Sequence, residues 1–358
     1  MFRLEGHCRP SRRFFSAGWP RRLTASPPHR LTDVPSNVAA LRFPFVRVLL
    51  PRTRLAYIHV RNLLSDAKRD RSARVSGYVA VWLPEEFVVF YLVRGEVVNA
   101  TIMDAAGARA AGIATALDRI PSEPEYGDIC FHEADELQLA CMFASQSRPD
   151  EPWPAGMKVS DPAELFPYLN AMTFDGFTEI VADGTVNYLI FANGAVQRAF
   201  LSTTHHGTTA DRVAKMFARE GRMEGTQVLR WTGLDPLPVQ APPALVQAYR
   251  ELAAALVEKL DADGQTSAAA IAERARQNLV DAHPVLGGFS FNGRPADDVI
   301  ADTSQLTGAV GAWLKEFLFA AGDHESSSPE TLLRDITWGR RHMFQRAGLY
   351  ELLPWKVV

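Results

Sequence analysis

Apolar and polar residues follow two different periods along the chain, and the changes of period predict where strands and helices lie. Between residues 176 and 199, two apolar runs are separated by Asp183-Gly184, and Asn193-Gly194 precedes a third run. Asp-Gly and Asn-Gly are typical of tight hairpin turns, whose central residues adopt positive φ angles. The pattern therefore predicts a three-stranded antiparallel meander.

The same pattern occurs 99 residues earlier in the chain. Gly77 and Gly95 are 18 residues apart, as are Gly176 and Gly194, and each second glycine precedes x-Val-x-x-Ala. We expect Gly95 and Gly194 to adopt the left-handed conformation in equivalent turns, and we assign all four as structural turn glycines. The chain is therefore predicted to contain two tandem copies of one module.

Helical spacing of apolar residues flanks each meander. Helices are predicted near 56–67 and 161–172 before the meanders, and near 105–120 and 208–220 after them. A further strand closes each copy, so that each module reads α-β-β-β-α-β. The first copy continues with an extra segment over 137–145.

Proline-rich stretches divide the chain into four parts. Residues 51–147 and 161–233 form the two modules, and residues 242–358 form a mainly helical domain, because leucine stripes at helical spacing are typical of a bundle core. Residues 1–50 are expected to be disordered, or to stem from a start codon assigned too far upstream, with the native start near 46–49. The predicted fold class is α+β.

Charge is distributed unevenly along the chain. The net charge is −3, yet residues 1–76 carry 16 basic and 4 acidic side chains, a pattern that normally suggests contact with nucleic acid or an anionic surface. No stretch approaches the ~20 apolar residues that a membrane-spanning helix requires. Cys8, Cys130 and Cys141 form no CxxC pair, which favours a reducing, cytoplasmic setting.

Histidine clusters are the first candidates for chemistry. His205-His206-Gly207 falls where a strand turns into a helix, and neighbouring residues of a strand point to opposite faces, which disfavours a shared metal ion. The segment that begins at His132 lacks the HExxH spacing of zinc proteases. No metal, cofactor or catalytic residue is predicted. An enzyme of unrecognised class, with a pocket near His205 or Gly287, stays as an alternative.

Two groups of residues are candidates for binding. The basic stretch consists of Arg61, Lys68, Arg69, Arg71 and Arg74. Its side chains are suited to contact phosphates, but we favour a solvated helix end, because basic residues suit a helix C-terminus. A candidate partner patch on the last helix consists of Trp338, Arg340 and Arg341.

Each copy also carries a strand ending in F-x-x-G-x-[IV]-x-x-A that leads onward to a helix. Residues 191–199 fit this pattern, and Leu92 replaces the phenylalanine in the first copy. With this pattern, roughly residues 55–133 and 161–231 resemble the PATAN module of bacterial signalling proteins, which include response regulators tied to gliding, phototaxis and type IV pili. No phospho-acceptor receiver domain accompanies it. The resemblance implies protein–protein interaction in a bacterial cytoplasmic regulatory system, without catalysis or cofactor.

Three functions are therefore considered. The preferred one is a non-enzymatic interaction or regulatory protein whose partners are proteins, such as two-component or pilus-type regulators. The alternatives are the enzyme of unrecognised class and a nucleic-acid binder that uses the basic stretch, and nucleic acid is the less favoured partner. Homo-oligomer formation also stays open, because meander sheets leave edge strands that need covering.

Overall fold

Two antiparallel sheets and a C-terminal group of helices make up the described part of the chain. A computed structural model of the protein describes residues 41–69, 74–182, 184–202, 208–219, 226–263, 267–289, 299–322 and 328–357. Within these ranges the fold is mixed α/β, with six strands in the first sheet and four in the second. Arg71, Asp183 and the His205-His206-Gly207 cluster lie outside the described residues.

The first sheet is formed by six strands from residues 47–133. Its strands are β1 Arg47–Arg54, β2 Gly77–Trp82, β3 Phe87–Val93, β4 Glu96–Asp104, β5 Gly107–Ala111 and β6 Asp128–Glu133. They lie in the order β1-β6-β2-β3-β4-β5, and every neighbouring pair is antiparallel. Helices α1 (Val60–Arg69) and α2 (Ile113–Asp118) pack against one face of this sheet.

The second sheet has the same central arrangement. Its strands are β7 Gly176–Ala182, β8 Thr185–Ala192, β9 Ala195–Phe200 and β10 Gln227–Thr232, in the order β10-β7-β8-β9. Helices α4 (Pro162–Ala171) and α5 (Thr209–Arg219) pack against one face. The other face points toward the first sheet, and α3 (Glu136–Ser147) lies between the two sheets.

The central strands are buried on both faces, which explains their continuous apolar runs. In β3, Phe90 packs in the core beneath α1 and α2, whereas its neighbour Tyr91 points to α3. Leu139 and Met142 of α3 belong to the same core cluster as Tyr91 and as Tyr188 of the second sheet. The core between the sheets is therefore shared by both.

Corresponding residues of the two sheets differ by 99 in number. In the first sheet β6 lies beside β2, so that Gly77 pairs with Glu133. In the second sheet β10 lies beside β7, so that Gly176 pairs with Thr232. The strand pairs β3–β4 and β8–β9 carry a register shift at the same place, next to Leu92 in the first sheet and next to Phe191 in the second. The correspondence therefore extends beyond the glycines to hydrogen-bond register.

The turns between the second and third strands of each set are also equivalent. Arg94 and Gly95 have φ angles of +51° and +78°, and Asn193 and Gly194 have +50° and +74°. Two consecutive positive φ angles match the right-handed twist of the flanking strands. Gly95 and Gly194 thus occupy the left-handed conformation that the turn chemistry indicates.

Gly77 and Gly176 are not turn residues, which corrects their assignment from the sequence. They are the first residues of β2 and β7. A Cβ atom on Gly77 would lie 2.2 Å from the carbonyl oxygen of His132, and one on Gly176 would lie 2.1 Å from that of Trp231. The close approach of the neighbouring strand therefore requires glycine at both positions.

The helix predicted near 105–120 is replaced in its first half by strand β5. Gly107 adopts a φ angle of +106°, and the chain then pairs back along β4, with Ala108 opposite Met103. Helix α2 begins only after Gly112. The alanine-rich stretch has high helix propensity, but the open edge of β4 offers backbone hydrogen bonds that outweigh this weak preference.

Residues 41–50 belong to the fold, and the boundary predicted at residue 50 is corrected accordingly. Leu41 and Phe43 are buried in the core between the sheets, and β1 runs across residue 50. The backbone of Arg42 forms hydrogen bonds with the second sheet. A start near 46–49 would remove both buried side chains. The amino-acid composition of residues 41–50 does not predict this role, because their contacts are with residues far along the chain.

The C-terminal helices form a separate core around two leucine-rich stripes. Their ranges are α6 Pro243–Asp263, α7 Ala268–Leu279, α8 Thr303–Ala321, α9 Pro329–Thr337, α10 Arg341–Arg346 and α11 Leu349–Leu352. Leu256 of α6 and Trp313 of α8 are fully buried there. The apolar face of each long helix is thus covered within the chain, as is typical of a bundle.

Gln240 joins the helical part to the first sheet. Its backbone N–H donates to the carbonyl oxygen of Val98 at 2.8 Å, and its side-chain amide donates to Asn99 Oδ1 and, at 2.8 Å, to the carbonyl oxygen of Ala111. Its Oε1 accepts from the N–H of Ile113 at 3.2 Å. The segment before α6 is therefore fixed to the outer edge of β4.

Candidate functional site

An apolar groove lies between α4 and α5, beside the edge strand β9. We name it the α4–α5 groove. Its volume is about 610 Å³. Only alkyl and aromatic side chains line it, and they are those of Pro162, Phe166, Val196, Ala210, Val213, Ala214 and Phe217. Such a surface binds apolar groups by removing them from water, at roughly 25 cal/mol per Å².

Capping residues fix where the two helices of the groove begin. The carboxylate of Asp161 accepts from the N–H of Ala163 at 2.8 Å, and Pro162 occupies the first turn of α4. The hydroxyl of Thr208 accepts from the N–H of Asp211 at 3.2 Å, while the Asp211 carboxylate accepts from the N–H of Thr208 at 3.1 Å. These contacts satisfy orphan donors at both helix starts.

Aromatic rings of α4 and α5 contact each other and the second sheet. The ring of Phe166 lies 5.6 Å from that of Phe217, edge to face, and 6.3 Å from that of Phe191 in the sheet. Above Phe217, Ala210 and Ala214 are exposed and small. The large rings therefore form the floor of the groove, and the alanines leave its upper part open.

Sequence reasoning did not single out the groove residues. Val213 and Phe217 occupy apolar positions of an amphipathic helix, the pattern usual for a helix that faces its own core. In the fold both side chains are buried, and the small surface that they keep lines the groove. No pattern in the sequence marks this remaining surface.

The enzyme alternative placed a pocket near His205 or Gly287. His205 lies outside the described residues. Gly287 lies in a short 3-10 helix over Pro284–Gly288, where the carbonyl oxygen of Leu286 accepts from Arg276 at 2.9 Å. Gly287 is exposed in this turn between helices.

His132 takes part in a buried polar cluster with Tyr78 and Cys130. The Tyr78 hydroxyl lies 2.9 Å from Nδ1 of His132 and 3.2 Å from the carbonyl oxygen of Pro44, and the Cys130 sulfur lies 4.0 Å from the same Nδ1. Burial lowers the pKa of His132 to about 4 and raises the pKa of the Cys130 thiol to about 12. The thiol is therefore a poor nucleophile at neutral pH, and the cluster anchors the segment around Pro44.

A second polar cluster lies between the sheets. The Tyr91 hydroxyl is 3.2 Å from that of Thr101, and Thr101 donates to the side-chain oxygen of Gln146 in α3. Ser145 of α3 lies 3.5 Å from the hydroxyl of Tyr188. Burial raises the pKa of both tyrosines, so these hydroxyls stay neutral. The cluster satisfies buried polar groups and positions α3.

Three residues of the basic stretch, Arg61, Lys68 and Arg74, have partners within the chain. Arg61 lies 2.8 Å from the carboxylate of Asp118, and Lys68 lies 3.1 Å from that of Glu96. Arg74 donates to the carbonyl oxygen of Lys68 at 3.1 Å. These contacts partly neutralise the charges that nucleic acid would use, which favours the interpretation as a solvated helix end.

The three residues of the predicted C-terminal patch lie in different surroundings. Trp338 is 72% exposed at the start of a short 3-10 helix, whereas Arg340 forms an ion pair with Glu251 of α6. Arg341 is the first residue of α10. Of the three predicted residues, Trp338 therefore presents the largest free apolar surface.

Within the described ranges, no three His, Cys, Asp or Glu side chains are grouped so as to hold a metal ion. None of the helices in those ranges combines the length and apolar character needed to cross a bilayer. No protein-family model, curated protein or solved structure matches the chain.

Proposed function

We propose that the chain is a non-enzymatic interaction protein of a bacterial cytoplasmic regulatory system, and that the α4–α5 groove receives an apolar peptide segment of a protein partner. The observation that carries the proposal is the groove itself, about 610 Å³ lined only by alkyl and aromatic groups. Concave sites lined by apolar and aromatic side chains, with volumes of roughly 300–1,000 Å³, are typical of ligand-binding pockets. The partner class is a two-component or pilus-type regulatory protein.

The proposal includes two tandem copies of a PATAN-type module. Its support is the constant offset of 99 residues, which holds for the turns at Gly95 and Gly194 and for the pairs that Gly77 and Gly176 make with the closing strands. The α4–α5 groove lies in the second copy, whereas the carbonyl oxygen of Val98 in the first copy accepts from the N–H of Gln240, in the segment before α6. The proposal therefore gives the binding role to the second copy and a role in docking the helical part to the first.

Capture from lysate of the native host, with chemical crosslinking and mass spectrometry, tests this function. The full chain is compared with Ala214→Asp, which places a charge in the groove at an exposed helical position. Ala269→Asp, at an exposed position of α7, is the matched control. We expect a protein that the wild type and the control retain and that the groove variant loses at least tenfold.

Urea denaturation of both variants shows whether the fold is kept. A protein retained equally by Ala214→Asp and the wild type would place the interaction elsewhere. If no protein distinguishes the groove variant from its control, the proposed function of the groove is overturned.

A further inference from the structure

We infer that the two sheets form a recognition slot for an aromatic–proline segment, that residues 41–45 occupy it as an intramolecular ligand, and that this ligand leaves the slot while the rest of the fold stays intact. We name the site the inter-sheet slot. It is formed by Tyr78 and Phe87 of the first sheet and Gln138 of α3. The inter-sheet slot is separate from the α4–α5 groove, so the inference goes beyond the proposed function.

Two buried donors of the inter-sheet slot converge on one carbonyl oxygen. Tyr78 and Gln138 are each only 1% exposed. The hydroxyl of Tyr78 lies 3.2 Å from the carbonyl oxygen of Pro44, and the side-chain amide of Gln138 donates to the same oxygen. A buried donor without an acceptor is strongly unfavourable. An occupant of the slot must therefore present a carbonyl oxygen at this place.

The apolar part of the inter-sheet slot accepts the aromatic ring that precedes the proline. The ring of Phe43 stacks on that of Phe87 at 5.7 Å and meets Tyr78 edge to face at 6.2 Å. Pro44 brings no N–H into its buried position, and a residue before proline favours the extended backbone. Leu41 is buried as well. These three positions give the slot its preference for Leu-x-Phe-Pro.

The segment meets the second sheet at Arg42. The N–H of this residue donates to the carbonyl oxygen of Gly184 at 2.8 Å, and its carbonyl oxygen accepts from the N–H of Val186 at 2.9 Å. This pairing is an isolated parallel bridge, whereas β7 pairs with both of its neighbours along almost its whole length. Segments with few backbone pairs open locally at a lower free energy than core strands. Release of residues 41–45 therefore leaves the ladders of both sheets in place.

Two buried cysteines report on such a release. The sulfur of Cys130 lies 4.0 Å from Nδ1 of His132, and the ring of Phe45 covers His132 at 4.5 Å. Cys141, on α3, is buried between the sheets. Release of the segment uncovers the surroundings of Cys130, whereas Cys141 stays packed between α3 and the sheets. The labelling rates of the two thiols therefore separate local release from global unfolding.

Alkylation of the full chain with iodoacetamide, followed by mass spectrometry of each cysteine peptide, tests the release. We expect Cys130 of the wild type to react at least tenfold faster than Cys141, and Phe43→Ala to accelerate Cys130 at least tenfold further. Arg42→Ala is the matched control, because it removes an exposed side chain and keeps the backbone bridge, and it should change the rate less than threefold. Equal rates for both thiols in the wild type would overturn the release, and this measurement depends on no variant.

A capped, fluorescent peptide of residues 39–46 tests recognition by the inter-sheet slot. A tethered segment acts at an effective concentration of roughly millimolar. The wild type should therefore exclude the peptide, whereas Phe43→Ala should bind it at least tenfold more tightly and gain resistance to urea from it. Adding Gln138→Leu to this variant should lower its affinity at least tenfold. A peptide that binds Phe43→Ala no better than Arg42→Ala would overturn recognition.

Sedimentation of the wild type distinguishes a second copy of the chain as the source of the segment. A dimer that Phe43→Ala dissociates would show that residues 41–45 are exchanged between copies, and would overturn their role as an intramolecular ligand. A monomeric wild type agrees with the inference.

Discussion

The backbone N–H of Gly194 donates to the carbonyl oxygen of Phe174 at 2.9 Å, across the end of α4. Gly95 makes the same contact with Val75 at 2.8 Å, 99 residues earlier. In each sheet the turn of the meander is thus bound to the loop that follows the leading helix. The contact fixes the angle between helix and sheet, and in the second sheet it therefore helps to set one wall of the groove.

Gly194→Ala is expected to lower the free energy of unfolding by about 3 kcal/mol. The residue has a φ of +74°, and a Cβ atom would lie 2.5 Å from the Cα of Asn170. Gly348→Ala is the matched control, since Gly348 has a φ of +81° with no atom within 4 Å of a Cβ. The control should lose only about 1 kcal/mol, the cost of the left-handed conformation. Equal losses in urea denaturation would contradict the role of close approach.

Gln240→Leu is expected to destabilise the protein by about 3 kcal/mol. The substitution leaves the buried Asn99 side chain and the carbonyl oxygen of Ala111 without the donor that Gln240 supplies, at roughly 1–3 kcal/mol for each buried group. Gln247→Leu, an exposed glutamine of α6, should change stability by less than about 0.5 kcal/mol. Hydrogen exchange should show the loss first in β5 and at the start of α6.

Phe43→Ala is expected to cost about 3 kcal/mol, because its ring is buried between the sheets and stacks on Phe87 at 5.7 Å. Phe45→Ala should cost less than about 1 kcal/mol, since Phe45 is 39% exposed. Chemical denaturation of the full chain measures both. A Phe43 variant as stable as the wild type would show that the Phe43 ring contributes no packing energy.

Stability is expected to fall between pH 6.5 and about 4 because of His132. Burial lowers its pKa to about 4 in the folded protein, so the unfolded chain, with a histidine pKa of about 6.5, takes up the proton first. The stability present above pH 6.5 is therefore lost progressively as the pH falls toward 4. Carboxyl groups whose pKa is lowered in the folded protein, such as Asp104 and Glu273, begin to lose their contribution only near the acidic end of this range and lose most of it at lower pH.

Urea denaturation at pH 7, 6 and 5 measures the effect of His132. The variant His132→Gln should flatten the dependence between pH 6.5 and 5, whereas His342→Gln, at an exposed position, should keep the slope of the wild type. An unchanged slope in the His132 variant would assign the dependence to other groups.

Local features of the fold could be predicted because they depend on neighbouring residues. Asp161 and Pro162 mark the start of α4, and Asn193-Gly194 marks a turn whose two residues have positive φ angles. In the same way, the constant offset of 99 residues was visible without coordinates. Turn and cap chemistry acts over a few residues, so the sequence alone carries it.

Long-range features could not be predicted in the same way. The alanine-rich stretch after Gly107 forms a strand only because β4 offers an open edge, and Phe43 is buried only because two sheets meet around it. The groove has the same origin, since Phe166 and Phe217 look like core residues of two separate helices. The turns, the caps and the 99-residue offset could therefore be read from the sequence alone. Tertiary structure decided which edges and apolar faces remain open, because burial depends on partners that lie far apart in the chain.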